Sequence, residues 1–127
     1  MIGRDRRGQT LVEFALILPI FLLIVVGLFD VGRGIYAYNT IANSARAAAR
    51  VAIVDQDPIA VRAEARQAGV ALGLQDSDIE LTSCSEFDCA YSVTITYDYQ
   101  PATPFIGALF DPTLSSTAEM AVENVNP

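Results

Sequence analysis

The chain has 127 residues, and its 8 arginines against 15 acidic residues give a net charge of −7, with no lysine or histidine. Nucleic acid is not an expected partner, because phosphate binding relies on clustered basic side chains. The usual general base, the commonest metal ligand and the Schiff-base nucleophile are missing, so we expect no enzyme, no cofactor and no metal site. The length allows one small domain and one long hydrophobic helix.

A short basic segment precedes a long apolar run. Residues 1–8 contain three arginines, and residues 14–29 carry no charge. Counting back to Leu11 gives 19 residues with one charge, Glu13, close to the roughly 20 residues that a helix needs to cross a bilayer. The basic end should stay cytoplasmic, which exports the C-terminal part. A secretory signal is cut after its apolar region, whereas here the plausible cut lies before it, at Gly8.

Residues 9–54 are predicted to form one long helix, or two helices in line. Pro19 lacks a backbone N–H, so a kink or a locally melted turn is expected there. Three glycines lie where the apolar run ends, and each weakens a helix. They indicate either a hinge at the membrane exit or close backbone approach between packed subunits. The glycines are Gly27, Gly32 and Gly34.

The second half of this helix carries alanines at spacings of three and four residues. Such a small-residue face lets another element pack closely. We expect that element to be the protein's own sheet, with a neighbouring helix as the alternative. The alanines are Ala42, Ala45, Ala48, Ala49 and Ala52.

The rest of the chain, residues 55–127, is predicted to be a small head. Asp57 can cap a second helix from Ile59 to about Leu72, with Pro58 at its first position. From residue 76 onward apolar residues alternate with polar ones, which predicts an antiparallel hairpin followed by a third strand. A unit of this size has a marginal core by itself, so the outer half of the long helix is expected to cover its sheet. The predicted fold is α+β.

Two cysteines fall at the tip of the predicted hairpin. Cys84 and Cys89 lie in the part predicted to be exported, where oxidising conditions favour pairing, so we predict a disulfide. They do not form a C-x-x-C redox pair, and a zinc site would need carboxylates in place of histidine.

Two further segments of the head are candidates for a functional role, one as a calcium site and one as an apolar contact surface. Asp76, Asp78 and Glu80 offer oxygen ligands to calcium, but the glycine and the bidentate glutamate of an EF-hand loop are missing, so a solvated strand edge is favoured. Residues 105–110 contain four large apolar side chains, too many for a solvated loop. We expect that segment to fold under the sheet or to cover a neighbouring head.

The pattern Gly8-x-x-x-x-Glu13-Phe14 at the start of a hydrophobic helix resembles the processing site of type IV pilin-like subunits. The following stretch, TLVEFALILPIFLLIVVGLFDVGRGIYAYNTIANSARAAARVA, resembles the TadE-like family of tight-adherence (Tad/Flp) pilus systems. The resemblance is dense over about the first 55 residues and loose beyond them. It implies that a prepilin-type peptidase cuts between Gly8 and Gln9, removing residues 1–8 as a leader.

The resemblance also implies a function and a location. It describes a non-catalytic subunit that is held in the cytoplasmic membrane by its helix, with an extracytoplasmic head. The subunit would then assemble with copies of itself or other pilin-like subunits into a surface pilus or its assembly machinery, supporting adhesion. In pilin-like proteins the acidic residue matching Glu13 meets the new N-terminus of an adjacent subunit. Two alternatives remain: Glu13 only favours the helix start through the helix dipole, or the chain is an uncleaved single-span anchor carrying a binding module.

Overall fold

A computed structural model describes residues 6–83, 90–109 and 112–122. It confirms the α+β fold, with a long N-terminal helix, one further main helix and a three-stranded antiparallel sheet. In chain order the elements are α1 (Arg6–Val54), α2 (Pro58–Ala68), β1 (Ile79–Thr82), β2 (Ala90–Asp98), the short α3 (Pro104–Leu109) and β3 (Thr113–Ala121).

Helix α1 is continuous over 49 residues, or roughly 74 Å at 1.5 Å per residue. No melted turn interrupts it at Pro19, so that part of the prediction was wrong. The described helix already includes Arg6, so the predicted start at Gln9 is too late. Arginine is a good helix former, and a single glycine costs only about 1 kcal/mol relative to alanine, so Gly8 does not stop the helix.

The outer half of α1 supplies one wall of the core. Its alanine face is buried against the sheet and α2, which confirms that the small residues pack on the protein's own head. Ile41 is the one large side chain on this face and is fully buried. The buried alanines are Ala37, Ala42, Ala45, Ala48, Ala49 and Ala52.

Helix α2 starts as its sequence predicts and ends earlier. The Asp57 carboxylate accepts a hydrogen bond from the Ile59 N–H at 3.1 Å. The helix stops at Ala68, and a tighter turn follows that ends at Gly73 in the left-handed conformation, φ 64°. At Gly69 an added Cβ would lie 2.9 Å from Ser44 Oγ. The same Cβ would lie 2.3 Å from Leu74 Cδ1, so the close approach of Leu74 and α1 at this position requires a glycine.

The sheet has the order β1-β2-β3, with every neighbour antiparallel. Its inner face meets α1 with Tyr91, Val93 and Ile95 of the central strand fully buried. Its outer face is polar, and Thr94 and Thr117 share a cross-strand hydroxyl hydrogen bond of 2.9 Å. The third strand ends at Ala121, and residues 123–127 lie outside the described residues.

The apolar segment before β3 is predicted to fold under the sheet or to cover a neighbouring head. Residues 104–109 form helix α3, in which Ile106 is half-buried and Leu109 is 65% exposed. Leu109 is therefore not folded under the sheet. The Phe105 side chain and Phe110 lie outside what the structure describes, as do Cys84 and Cys89, so the predicted disulfide stays a prediction.

Candidate functional site

The inner half of α1 is the largest unpacked apolar surface among the described residues. Most of its large side chains from Leu11 to Phe29 are exposed; Phe14, for example, is 63% exposed and Phe29 is 70% exposed. By length and composition this is the one helix in the described part of the chain that can cross a membrane. An exposed patch of this size indicates a lipid or protein environment.

The predicted processing and assembly residues lie at the start of this apolar half. Gly8, Gln9, Glu13 and Phe14 are all exposed on α1. Gln9 and Glu13 are four residues apart, so they share one face of the helix. Within the described part of the chain no basic side chain forms a salt bridge with Glu13. The carboxylate is thus available to a partner outside the chain.

A second cluster, which the sequence did not reveal, joins α1 to the head. We call Asp30, Tyr99, Ala102 and Thr103 the junction cluster. The Asp30 carboxylate is 4% exposed and accepts hydrogen bonds from the N–H of Ala102 at 2.9 Å, from the N–H of Thr103 at 2.8 Å and from the Thr103 hydroxyl. Hydrogen bonds to a charged acceptor are stronger than neutral ones. The cluster therefore fixes the loop before α3 to the first polar residue after the apolar run.

Tyr99 completes the junction cluster. Its hydroxyl donates to the backbone carbonyl of Asp30 at 2.9 Å, so both the main chain and the side chain of Asp30 contact the same loop. The Arg33 guanidinium lies 5.9 Å from the centre of the Tyr99 ring, within the range of a cation–π contact. An added Cβ at Gly34 would lie 4.0 Å from the same ring, an ordinary contact distance.

Asp30→Asn is expected to loosen the junction while leaving the sheet folded. The amide would place a donor against backbone donors and leave buried N–H groups unpaired. Hydrogen exchange at Ala102 and Thr103 should accelerate about tenfold or more, because local opening becomes easier. Asp98→Asn, an exposed change at the same end of the sheet, is the control. Unchanged exchange in Asp30→Asn would show that the carboxylate does not hold the loop.

The acidic run after α2 has structural partners. Asp76 pairs with Arg66 at 3.3 Å, and the Asp78 carboxylate accepts from the Gln75 N–H at 2.9 Å. No group of three potential metal ligands occurs among the residues that the structure describes. Asp76 and Asp78 lie on a short 3-10 turn before β1, so the predicted strand edge holds only for Glu80.

One buried hydroxyl lies inside the core. Tyr91 is fully buried on β2, and neither its hydroxyl nor the Nε of Arg62 has a hydrogen-bond partner within the described residues. Burial raises the pKa of Tyr91, and the positive charge of Arg62 opposes part of that rise. The phenol therefore stays neutral at physiological pH and contributes mainly its ring to the core.

The fold is that of a small α+β head carried on a helix whose first half is apolar and unpacked. Residues 8–50 match the family model described as TadE-like protein, so over this stretch the chain is similar to that family, and the predicted resemblance is confirmed. The match covers Gly8, Glu13, Asp30 and most of the buried alanine face. No curated protein and no solved structure matches the chain significantly.

Proposed function

We propose that the chain is a non-catalytic pilin-like subunit of a Tad/Flp-type system, inserted in a membrane by the apolar half of α1 and assembled through that helix. The observation that carries the proposal is an exposed apolar half-helix at the end of the chain where residues 8–50 match the TadE-like family. Lipid covers this surface before assembly, and neighbouring helices cover it afterwards.

The proposed orientation places the head outside the cytoplasm. Three arginines precede the apolar run, and Arg33 is the first basic residue after it. Basic residues near a span favour the cytoplasmic side. The head is then exported first into the extracytoplasmic space, and from there into a surface pilus or its assembly machinery.

Maturation is proposed to occur between Gly8 and Gln9 by a prepilin-type peptidase. Because the bond between Gly8 and Gln9 lies within α1, the peptidase must open the helix locally to reach it. Gly8 is exposed, and an added Cβ there would meet nothing within 4 Å. A glycine makes local opening easier, since it is a weak helix former.

Fractionation of cells tests the proposal. Filaments sheared from the cell surface should contain the chain, and electron microscopy with antibodies against the head should label them or their bases. Deletion of the gene should reduce surface piliation and adhesion. Retention of all the chain in the membrane, with piliation unaffected by the deletion, would contradict the assembly role.

The disulfide between Cys84 and Cys89 is part of the proposed exported state. It would close a six-residue loop and stabilise the head by about 2 kcal/mol on the chain-entropy estimate. Mass spectrometry of the non-reduced protein should find no thiol available to alkylation, with both thiols appearing after reduction. Two alkylated cysteines without reduction would refute the bond.

A second candidate function is an uncleaved, membrane-tethered binding module. The exposure of Leu109 on α3 favours it, because this apolar side chain is 65% exposed next to a folded sheet. In that case α3 would contact the recognised partner directly. The two candidates differ at the N-terminus, since only the pilin-like subunit begins at Gln9.

A further inference from the structure

A small pocket opens beside the junction cluster, between α1, the turn after α2 and the end of β2. Its volume is about 190 Å³. We call it the tyrosine pocket. Its main lining residues are Arg33, Tyr36, Ala37, Leu72, Tyr97 and Tyr99.

The Tyr99 hydroxyl of the tyrosine pocket is used by the fold, whereas the Arg33 guanidinium and the hydroxyls of Tyr36 and Tyr97 make no hydrogen bond or salt bridge within the described residues. Arg33 is exposed and makes no salt bridge to the residues that the structure describes; it lies against the ring of Tyr99, and its charge also helps to stabilise the Asp30 carboxylate. The nearby Asp30 carboxylate is already held by the loop donors of the junction cluster. No hydrogen bond within the described ranges engages the hydroxyls of Tyr36 and Tyr97. One guanidinium and two hydroxyls are therefore available to a ligand.

The depth of the pocket along α1 matches a lipid headgroup. Arg33 comes four residues after Phe29, the last residue of the apolar run, which is about 6 Å along a helix. The headgroup layer extends roughly 5–8 Å beyond the hydrocarbon core on each side of a bilayer. Tyrosines are also enriched at this level of a membrane. The backbone of Arg33 is therefore placed at the level of the lipid phosphates. Tyr36 follows about 10 Å after Phe29 along the helix, and its side chain tilts back toward the helix N-terminus.

We propose that the tyrosine pocket binds the phosphate of a membrane phospholipid, with Arg33 donating to two phosphate oxygens and Tyr36 and Tyr97 donating to the remaining ones. Arginine matches phosphate geometry with two parallel N–H donors. The inference rests on the membrane anchoring in the proposed function. It adds a specific lipid contact that holds the head at a set height above the bilayer before assembly.

Native mass spectrometry of the full-length chain tests the site. Delipidated protein in detergent is mixed with phosphatidylglycerol, with diacylglycerol, which lacks phosphate, or with phosphatidylglycerol plus excess inorganic phosphate. We expect one phosphatidylglycerol to be retained per chain, little diacylglycerol, and no displacement by inorganic phosphate. Arg33→Gln should reduce the retained fraction about tenfold. Arg50→Gln, an exposed change on the same helix outside the pocket, should leave it unchanged.

Each other outcome overturns the inference. Equal retention of diacylglycerol would show binding through acyl chains alone, and displacement by inorganic phosphate would show a site for a free anion. Chain dimers that disappear in Arg33→Gln, without bound lipid, would assign the pocket to a second copy. Tyr97→Phe, which removes only a hydroxyl, serves as a second variant with a minimal risk to folding. Flotation with vesicles measures membrane anchoring separately. A chain that floats with vesicles but retains no phosphatidylglycerol would overturn the lipid site and leave the proposed membrane anchoring intact.

Discussion

Replacing Gly8 with tryptophan is expected to leave a full-length chain that inserts in the membrane but does not assemble. A peptidase that accepts glycine at this position has no room for an indole, so the leader stays attached and Gln9 keeps its peptide bond. The apolar run is unchanged, so insertion should be normal. Immunoblots should show only the uncleaved form in membranes, and the sheared filament fraction should lose nearly all of the chain.

Gly8→Ala is the matched control, because a small side chain leaves the site accessible. It should be cleaved and assembled nearly as well as the original chain. A Gly8→Trp chain that still enters filaments at full length would show that assembly does not require processing. The proposed maturation step would then be wrong, although the helix could still serve as the packing element.

Glu13→Val is expected to separate insertion from assembly. It removes a charge that costs up to about 2.5–3.5 kcal/mol at a helix centre and less near its end, so insertion and processing should persist. Incorporation into filaments should fall about tenfold or more, since a charged hydrogen bond contributes roughly 1.5–3 kcal/mol and each 1.4 kcal/mol is about tenfold. Quantitative blots of membrane and filament fractions measure the ratio.

Two comparisons sharpen the Glu13 experiment. Glu13→Gln keeps the shape and a neutral acceptor, so its incorporation should fall between those of the original chain and Glu13→Val. Val12→Ala, a change of similar size at the neighbouring position, should have little effect. If Glu13→Val assembled as well as the original chain, Glu13 would be only a helix-start residue.

Local patterns predicted most of the fold. The three-to-four-residue spacing of alanines gave the buried face of α1, and Asp57 followed by Pro58 gave the start of α2. Alternation around Tyr91 and Ile95 gave the central strand and its inner face. These signals depend on neighbours within a few residues, so the sequence carries them directly.

Long-range contacts were not predictable in the same way. In the sequence Asp30 is simply the first polar residue after an apolar run. The backbone N–H groups that donate to its carboxylate lie 72 and 73 residues away. The sequence shows an acid at that boundary and a Thr103-Pro104 pair, but neither feature indicates that the two are in contact. The exposure of Leu109 was missed for a related reason, because hydrophobicity alone does not say which surface covers a side chain.

The glycines near the end of the apolar run are interpreted as either a hinge at the membrane exit or a place of close approach between subunits. Helix α1 passes through Gly27 and Gly32 without a break, and an added Cβ at either would meet nothing within 4 Å. A hinge is therefore not formed in this conformation of the described chain. Close approach of a neighbouring subunit at these two positions is compatible with the open space and is part of the proposed assembly.

The mature N-terminus of the chain in sheared filaments tests the central claim most directly. Intact-mass and N-terminal peptide mass spectrometry should find a chain that begins at Gln9 in filaments, with the form beginning at Met1 confined to the membrane. A pilin-like subunit processed after Gly8 requires this distribution. A chain that retains residues 1–8 wherever it is found, and that is absent from filaments, would contradict the account and favour the tethered binding module.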